Sequence, residues 1–381
     1  MALLIVASGS VAAGMAVADH DSGGRYLSRS EGHQARRPTS RPGATPAAGS
    51  NIYSHTLVGM LTPVTRRARY LVYAPDSQGD GVYVIDPLRY RVIRYIQTGA
   101  VVQHVVPSWD LRTLYATNDI GNSLTPIDPN SGQRAGPNLP VADPYNMYFT
   151  PDGRHAIVVE ESLNTFSFRD PHTFALQKAL NVRCAGVDHM DFSADGRSAI
   201  ASCEFSGQMV RIDLRSETVS GYLRVGGSPQ DVKLSPDGGT FFVANRFLPK
   251  RGASGVQLID AGSFRLVGFM RTALDAHGLY VSRDTRDLYV TGRAGEAITV
   301  IDFATRRIVH VWHVRGTPDM GNVSPDGATL WVSSRYTSAV LAISTRTGRV
   351  IASIPAGVSP HGVCVWPQPG RYSTGHTGVM R

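Results

Sequence analysis

The sequence predicts an all-β fold, a seven-bladed β-propeller built from four-stranded blades. Three observations predict it: a unit of about 42 residues recurs seven times, each unit divides into four short strands, and one strand is left over after the last unit. The 381 residues are 42% hydrophobic and 18% charged, which suffices for a large core and excludes wholesale disorder. Beyond the N-terminus no stretch approaches 18 apolar residues, so a polytopic membrane protein is excluded.

The dipeptide Ile-Asp closes the third strand of most units. It stands at Ile85-Asp86, Ile127-Asp128, Ile212-Asp213, Ile259-Asp260 and Ile301-Asp302, with Asp170 and Ser344 in two further equivalent positions. The successive spacings are 42, 42, 43, 47, 42 and 42 residues, and the longest contains a loop-like insertion at residues 247–254. Four strands at this period are typical of a propeller blade.

The other strands of each unit have their own markers. A Ser-Pro-Asp-Gly turn, as at Ser235–Gly238 and Ser324–Gly327, suits a tight hairpin because Gly takes positive φ at no steric cost. The strand after it ends in a pattern such as Tyr115-Ala-Thr-Asn118. The leftover strand, residues 360–366, can pair with the N-terminal strand at residues 70–74. That pairing predicts a ring closed by the two chain ends, with no open sheet edge.

These three markers resemble the YVTN repeat family over residues 52–367. The sequence is similar to YncE-type seven-bladed propellers and to the propeller that holds haem d1 in cytochrome cd1 nitrite reductases. The resemblance implies the fold and leaves the function open, since relatives include surface-layer components, periplasmic binding proteins and lactonases. The sequence has no CxxCH haem attachment motif, Gly-rich phosphate loop or nucleophile elbow.

Composition divides the chain into four segments. Residues 1–18 are apolar and end in a small-x-small motif, which predicts a signal peptide and export to the periplasm, cell envelope or exterior. The alternative is a cytoplasmic protein with an apolar N-terminus. Residues 19–50 predict a disordered Arg/Pro/Gly/Ser-rich linker, residues 51–367 the propeller, and residues 368–381 a flexible tail.

The net charge of +8 is concentrated before the propeller, where residues 19–69 hold eight arginines against three acids. An Arg-rich tail can attract nucleic acid or anionic lipid, although a solvated linker has the same composition. The propeller itself lacks a basic stripe with interleaved aromatics, so nucleic-acid binding is not expected. We expect a monomer.

The innermost strands face the channel, and aligning the repeats gives two rings of residues where these strands begin. The first ring is Gln103, Tyr145, Asp188, Gln230, His277, Asp319 and His361. The second is His104, Asn146, His189, Asp231, Gly278, Met320 and Gly362. Because side chains alternate along a strand, only one ring is expected to point fully inward, and the sequence leaves open which.

Three functions remain open for this channel mouth. The first is binding or scaffolding of a small ligand, protein partner or envelope component. Polar residues at the mouth do not by themselves indicate a specific site, because they gather at any hydrated channel mouth. The second is a lactonase- or lyase-type enzyme that uses His277, His361 and Asp319 as acid, base or metal ligands. The third is a haem-d1-like or divalent-metal cofactor, with His104 or His189 as a ligand. The sequence assigns no catalytic residue and no set of metal ligands, and the default expectation is that the protein binds no cofactor.

The three cysteines are too few for a disulfide-built scaffold. Cys184 precedes an innermost strand and Cys203 ends the second strand of the same blade, so the hairpin brings them together. A disulfide at the mouth is expected in an exported protein, and a soft metal site with His189 is the rival. Cys364 is expected to be a small buried hydrophobe.

Overall fold

The computed structural model describes residues 51–381, which form seven antiparallel blades in a ring. The signal peptide and linker expected at residues 1–18 and 19–50 lie outside the described residues. Within residues 51–381 no helix has the length and apolarity needed to cross a bilayer. Two single-turn 3-10 helices, Pro249–Arg251 and Arg335–Thr337, are the helical elements of this part of the chain.

We number the blades along the chain from the one that contains Leu71–Pro75. From blade 1 to blade 7, the inner strands are Cys364–Trp366, Val102–Pro107, Pro144–Phe149, Val187–Phe192, Pro229–Leu234, Ala276–Val281 and Pro318–Val323. The second strands are Leu71–Pro75, Leu114–Asn118, Ala156–Glu160, Ser198–Cys203, Thr240–Leu248, Asp287–Gly292 and Thr329–Ser334. The third strands are Gly81–Asp86, Ser123–Asp128, Thr165–Arg169, Gln208–Asp213, Ala253–Asp260, Ala297–Asp302 and Ala339–Ser344. The outer strands are Arg91–Gln97, the short pair Gln133–Arg134 and Leu139–Pro140, Leu176–Asn181, Thr218–Arg224, Arg265–Arg271, Arg307–His313 and Val350–Pro355.

Blade 1 is assembled from both ends of the repeat region. Its inner strand follows blade 7 in sequence and pairs antiparallel with the first strand, with Trp366 opposite Leu71 and Cys364 opposite Tyr73. The predicted seven-bladed architecture is confirmed, and this pairing gives blade 1 four strands, as in blades 4 to 7.

The sequence markers act at two of the turns that connect the strands of a blade. In the Ser-Pro-Asp-Gly turn, the Ser hydroxyl donates to the Asp carboxylate, at 2.5 Å in both Ser235–Asp237 and Ser324–Asp326. The Asp of Ile-Asp accepts backbone N–H groups of the following turn, as Asp213 does from Ser216 at 2.8 Å. Each carboxylate accepts hydrogen bonds that the polar groups of the turn would otherwise make to water.

The hydrophobic core is distributed between blades. Among the described residues, seven clusters of buried apolar side chains join neighbouring blades, one cluster for each adjacent pair. The cluster that joins blades 7 and 1 includes Val72, Ile85, Trp331 and Val363. The ring is therefore closed by side-chain packing as well as by strand pairing.

The prediction of a flexible tail at residues 368–381 is wrong. Residues Ser373–Gly375 and Val379–Met380 form a hairpin that enters the channel from the end where the inner strands terminate. Gly375 pairs with Tyr148 of blade 3, and the Arg381 guanidinium donates to Asp191 at 2.7 Å. A polar segment can be buried here because the channel wall supplies hydrogen-bond partners. We call this segment the plug hairpin.

The candidate ligand site at the channel mouth

Both rings of residues reach the channel because the inner strands bulge where the rings lie. In blade 2, Val102 pairs with Asn118 and Val105 pairs with Ala116, so Gln103 and His104 together stand opposite one residue. The same two-against-one register recurs in blades 4, 5, 6 and 7. A β-bulge breaks the alternation of side chains. The expectation that only one ring points inward is therefore wrong.

A hydroxyl in the second strand stabilises most of these bulges. The His104 N–H donates to Thr117 Oγ1 at 3.0 Å, and the His189 N–H donates to Ser202 Oγ at 3.1 Å. In blade 6 the Gly278 N–H donates to Thr291 Oγ1 at 2.7 Å. These hydroxyls occupy the Thr position of the Tyr-Val-Thr-Asn pattern. The repeated hydroxyl thus satisfies a backbone donor that the bulge removes from the sheet ladder.

The ring positions have different fates. Of the predicted site residues, all eleven are buried in or beside the channel: Gln103, His104, Tyr145, Asn146, Asp188, His189, Gln230, Asp231, His277, Asp319 and His361. Met320 packs instead into the core between blades 6 and 7. A Cβ at Gly362 would overlap the His104 ring, so this glycine makes room for the imidazole.

A third ring of residues, which the sequence analysis missed, lies one residue beyond the second strand in six blades and within the longer second strand of blade 5. We call the channel end at which the inner strands begin the mouth, and this ring borders it. In blades 1 to 4 the ring consists of Asp76, Asp119, Glu161 and Glu204. In blades 5 to 7 it consists of Arg246, Arg293 and Arg335. The mouth is therefore divided into an acidic half and a basic half.

Two carboxyl groups of the acidic half, Glu161 and Asp119, have raised pKa values. Burial and the neighbouring Glu204 raise the pKa of Glu161 to about 9. Burial and Asp143 raise the pKa of Asp119 to about 6, against a hydrogen bond from Gln103 that lowers it. Like charges held close together in a poorly hydrated site favour the neutral carboxyl group, so this half of the mouth is short of positive charge.

Asp188 is the most exceptional member of the acidic half. Its side chain is 1% exposed, and neither oxygen has a donor at full hydrogen-bond geometry among the described residues, although the Tyr145 hydroxyl lies near enough to lower its pKa. Its Oδ1 atom lies 3.2 Å from His189 Nε2. Burial, followed by the charges of Glu204 and Glu161, raises the pKa of Asp188 well above its ordinary value.

The basic half is organised by one carboxylate. Asp319 lies 2.9 Å from His277 Nδ1, 2.7 Å from His361 Nδ1 and 2.9 Å from Arg293 Nε. Arg335 approaches it at 3.7 Å. Burial alone would raise the pKa of Asp319, but Arg293, His361 and Arg335 hold it well below the usual range. The sequence analysis grouped His277, His361 and Asp319, and the structure brings these three together.

A second group of imidazoles lies deeper in the channel. His104, His189 and His376 are fully buried, and their ring centroids are 4.8 to 5.5 Å apart. Burial, together with the neighbouring imidazoles, lowers the pKa of His104 and His189 well below the ordinary value. His376 comes from the plug hairpin, which the sequence analysis had placed outside the fold. Rings this close leave no space for a porphyrin between them, which argues against haem ligation by His104 or His189.

Exposed apolar side chains surround the charged mouth. They lie at the end of a second strand, between the second and third strands or just before the next inner strand, and they are between 49% and 68% exposed. They are Ile120, Leu163, Phe205, Phe247, Leu274, Tyr336 and Val358. An apolar rim around a polar centre is a composition found at binding surfaces.

The two cysteines expected to pair are bonded at the same mouth. Cys184 and Cys203 form a disulfide with a Cα–Cα distance of 5.8 Å, and Cys364 is a buried free thiol. Cys203 immediately precedes Glu204, so the disulfide anchors a loop that carries part of the acidic half.

Comparison with known proteins agrees with this architecture. The model of the YncE-like beta-propeller family matches residues 57–370. The chain belongs to the YncE-like β-propeller family. Among curated proteins, none matches this YncE-like propeller in sequence.

Solved structures similar to this YncE-like propeller have varied roles. Hydrazine synthase of Kuenenia stuttgartiensis is 17% identical with a TM-score of 0.63, and the match covers 74% of this chain and 98% of that one. A functionally unknown protein from Desulfotomaculum acetoxidans DSM 771 is 14% identical with a TM-score of 0.64, covering 77% and 98%. Dihydro-heme d1 dehydrogenase NirN in complex with DHE is 16% identical with a TM-score of 0.58, covering 86% and 82%. At these identities the likeness shows the fold alone.

Proposed function

We propose that this YncE-like propeller is an exported, monomeric binding protein, and that its mouth binds a small molecule through a cationic group rich in hydrogen-bond donors. The observation that carries the proposal is Asp188, a buried carboxyl group with neither oxygen at hydrogen-bond geometry among the described residues. It belongs to an acidic half that also holds Glu161 and Glu204.

An ammonium group has the chemistry that this half of the mouth lacks. Gln103 Oε1 and Asp119 Oδ1 are further buried acceptors with no hydrogen-bond donor among the described residues. A primary ammonium offers three donors and one positive charge, and its charge favours the ionised carboxylates that burial now disfavours. A neutral ligand of the same shape would supply donors but no positive charge, and an anionic ligand would be repelled by the carboxylates of the site.

Two features support export. A disulfide such as Cys184–Cys203 forms and persists in oxidising compartments outside the cytosol. The apolar N-terminal segment that ends in Ala16-Val17-Ala18 has the composition of a signal peptide.

The test begins with native mass spectrometry of the purified protein for a co-purified small molecule. Thermal shift assays then compare putrescine and glucosamine with their N-acetylated counterparts, which keep the shape and remove the charge. We expect the amines alone to raise the melting temperature, and Asp188→Asn to abolish the shift. The matched control is Asp195→Asn, an exposed turn carboxylate of the same blade. Equal shifts from amines and amides, or an undiminished shift in Asp188→Asn, would contradict the proposal.

A second candidate is hydrolysis in the basic half of the mouth. Asp319 hydrogen-bonds to His361 Nδ1 at 2.7 Å, which is how a carboxylate positions an imidazole general base, and its other oxygen lies 2.9 Å from His277 Nδ1. Lactone hydrolysis should then be lost in the His277→Ala/His361→Ala double variant. Hydrolysis that is unaffected by the double variant would remove this candidate.

A further inference from the structure

The buried histidine group has the geometry of a metal site. One ring nitrogen from each of His104, His189 and His376 lies within 4.8 Å of the other two. The Nε2 atom of each ring makes no hydrogen bond to any described residue, although all three rings are buried. Buried polar atoms in native proteins nearly always have a partner, and three buried imidazoles that each bring one ring nitrogen within 4.8 Å of the others supply the donor set for one shared ion.

Each histidine is held by a different part of the fold. His104 and His189 project from the bulges of blades 2 and 4, and His376 is carried in by the plug hairpin. The Nδ1–H of His104 donates to the Tyr145 carbonyl at 2.9 Å, which leaves the Nε2 lone pair free. A metal-ligating imidazole usually has this arrangement, with its second nitrogen bonded to a carbonyl or carboxylate.

Asn146 holds the other two rings. Its Nδ2 atom lies 3.1 Å from His189 Nδ1 and 2.9 Å from His376 Nδ1, while its Oδ1 accepts the Met147 N–H at 2.8 Å. An amide nitrogen at these positions requires Nδ1 to be the acceptor, which places the ring proton on Nε2. Ligation through Nε2 moves that proton to Nδ1, and Asn146 must then present its oxygen to both rings. A half-turn of the amide does so and leaves the Met147 N–H without its acceptor.

The surrounding charges suit a cation. Asp188 Oδ1 lies 3.2 Å from His189 Nε2, and Asp231 Oδ2 lies 3.6 Å from His376 Nε2. Asp231 already pairs with Lys233 at 3.1 Å, whereas no ion pair with Lys or Arg is recorded for Asp188 among the described residues. A dication between the three rings would give the buried Asp188 carboxylate a counter-charge.

We propose that His104, His189 and His376 bind one divalent late transition-metal ion, with Zn²⁺ the simplest occupant, and that the ion fastens the plug hairpin to blades 2 and 4. Three imidazoles favour Zn²⁺, Cu²⁺, Ni²⁺ or Co²⁺ over Mg²⁺ or Ca²⁺, which prefer oxygen ligands. This site is separate from the proposed ligand site in the acidic half of the mouth, although Asp188 borders both.

The first test measures stoichiometry and stability. The full chain is stripped with a chelator, refolded with Zn²⁺ or Co²⁺, desalted and analysed by elemental mass spectrometry. We expect one ion per chain, a visible Co²⁺ absorption band, and a melting temperature that rises with Zn²⁺. The variant His376→Gln should lose all three, while His310→Gln, on the exposed outer strand of blade 6, should retain them. Less than a tenth of an ion per wild-type chain, or equal binding by His376→Gln, would overturn the proposal.

The second test does not depend on a loss of binding. Asn146→Asp is isosteric, and its carboxylate can accept both Nδ1–H groups on one oxygen and the Met147 N–H on the other. A carboxylate partner typically changes metal affinity by 10- to 100-fold, so we expect Zn²⁺ to bind at least about 10-fold more tightly to this variant. Unchanged or weaker affinity in a folded Asn146→Asp variant would contradict ligation through Nε2, whatever the result for His376→Gln.

Discussion

Asp319 holds the basic half of the mouth together, and its removal should be among the most costly single changes in the propeller. Asp319 and Arg293 are 0% and 4% exposed at their side chains, and two imidazoles share the same carboxylate. In Asp319→Asn one amide oxygen replaces two carboxylate oxygens, and the amide nitrogen faces groups that are themselves donors. Leaving a buried guanidinium without its counter-ion costs about 3–5 kcal/mol.

The same chain offers a matched control one blade away. Arg246 and Asp275 form an equivalent pair at 2.7 Å, but their side chains are 40% and 18% exposed. Asp275 has φ 59°, a conformation that Asn tolerates, so Asp275→Asn changes the charge without backbone strain. A pair this exposed contributes about 0–1 kcal/mol.

The assay is equilibrium unfolding in urea, with the free energy of unfolding extrapolated to water for both variants and the wild type. We expect Asp319→Asn to lose at least about 2 kcal/mol more than Asp275→Asn, since burial separates the two pairs. If the two losses agree within about 0.5 kcal/mol at equal m-values, Asp319 does not organise the basic half as argued.

Three further predictions concern the acidic half, the mouth disulfide and a bulge. Glu161 has a pKa of about 9 in the folded state against 4.5 in the unfolded chain, so the free energy of unfolding should fall as the pH rises from about 5 to 9. The variant Glu161→Gln should therefore be more stable than the wild type by at least about 1 kcal/mol at pH 8 and by much less at pH 5. An equal gain at both pH values would refute the raised pKa of Glu161. Reducing the Cys184–Cys203 disulfide, whose cysteines are 19 residues apart, should lower the free energy of unfolding by about 3 kcal/mol. In the Cys184→Ser/Cys203→Ser double variant, reductant should leave the free energy of unfolding unchanged. Thr291→Val should lower the free energy of unfolding by about 1–3 kcal/mol because it removes the hydrogen-bond partner of a buried N–H and of a buried carbonyl. The control Thr218→Val, at an exposed position, should change it by less than about 0.5 kcal/mol. Similar losses in the two variants would mean that the Thr291 hydroxyl does not support the bulge.

Local turn chemistry explains why the sequence predicted the blades so well. The Ile-Asp and Ser-Pro-Asp-Gly markers act through contacts within a few residues, such as Asp213 with the Ser216 N–H, so each copy can be recognised without its neighbours. Blade 2 has the most degenerate outer strand, yet its Ile127-Asp128 still falls on the 42-residue period.

The details of the channel were less predictable because they depend on non-local contacts. Strict alternation would turn either Gln103 or His104 away from the axis, and the bulge that turns both inward is visible only through the Thr117 hydroxyl in the next strand. The segment that carries His376 is rich in Gly, Ser and Thr, which is the composition of a solvated tail. Its burial requires a polar wall, and only the closed ring supplies one.

The charged ring at the mouth shows where this repeat protein departs from repetition. The residue after the second strand can be Asp119, Glu204 or Arg293 because it lies beyond the strand pairing that builds the blade. Strand pairing places no demand on that position, so its charge can differ from blade to blade without changing the fold of the blade. Acids in consecutive blades and arginines in the remaining ones produce a field across the mouth that a charge-alternating ring would cancel. In the proposed binding function, such a field would orient a ligand as well as attract it, because a cationic group is drawn to one side and repelled from the other.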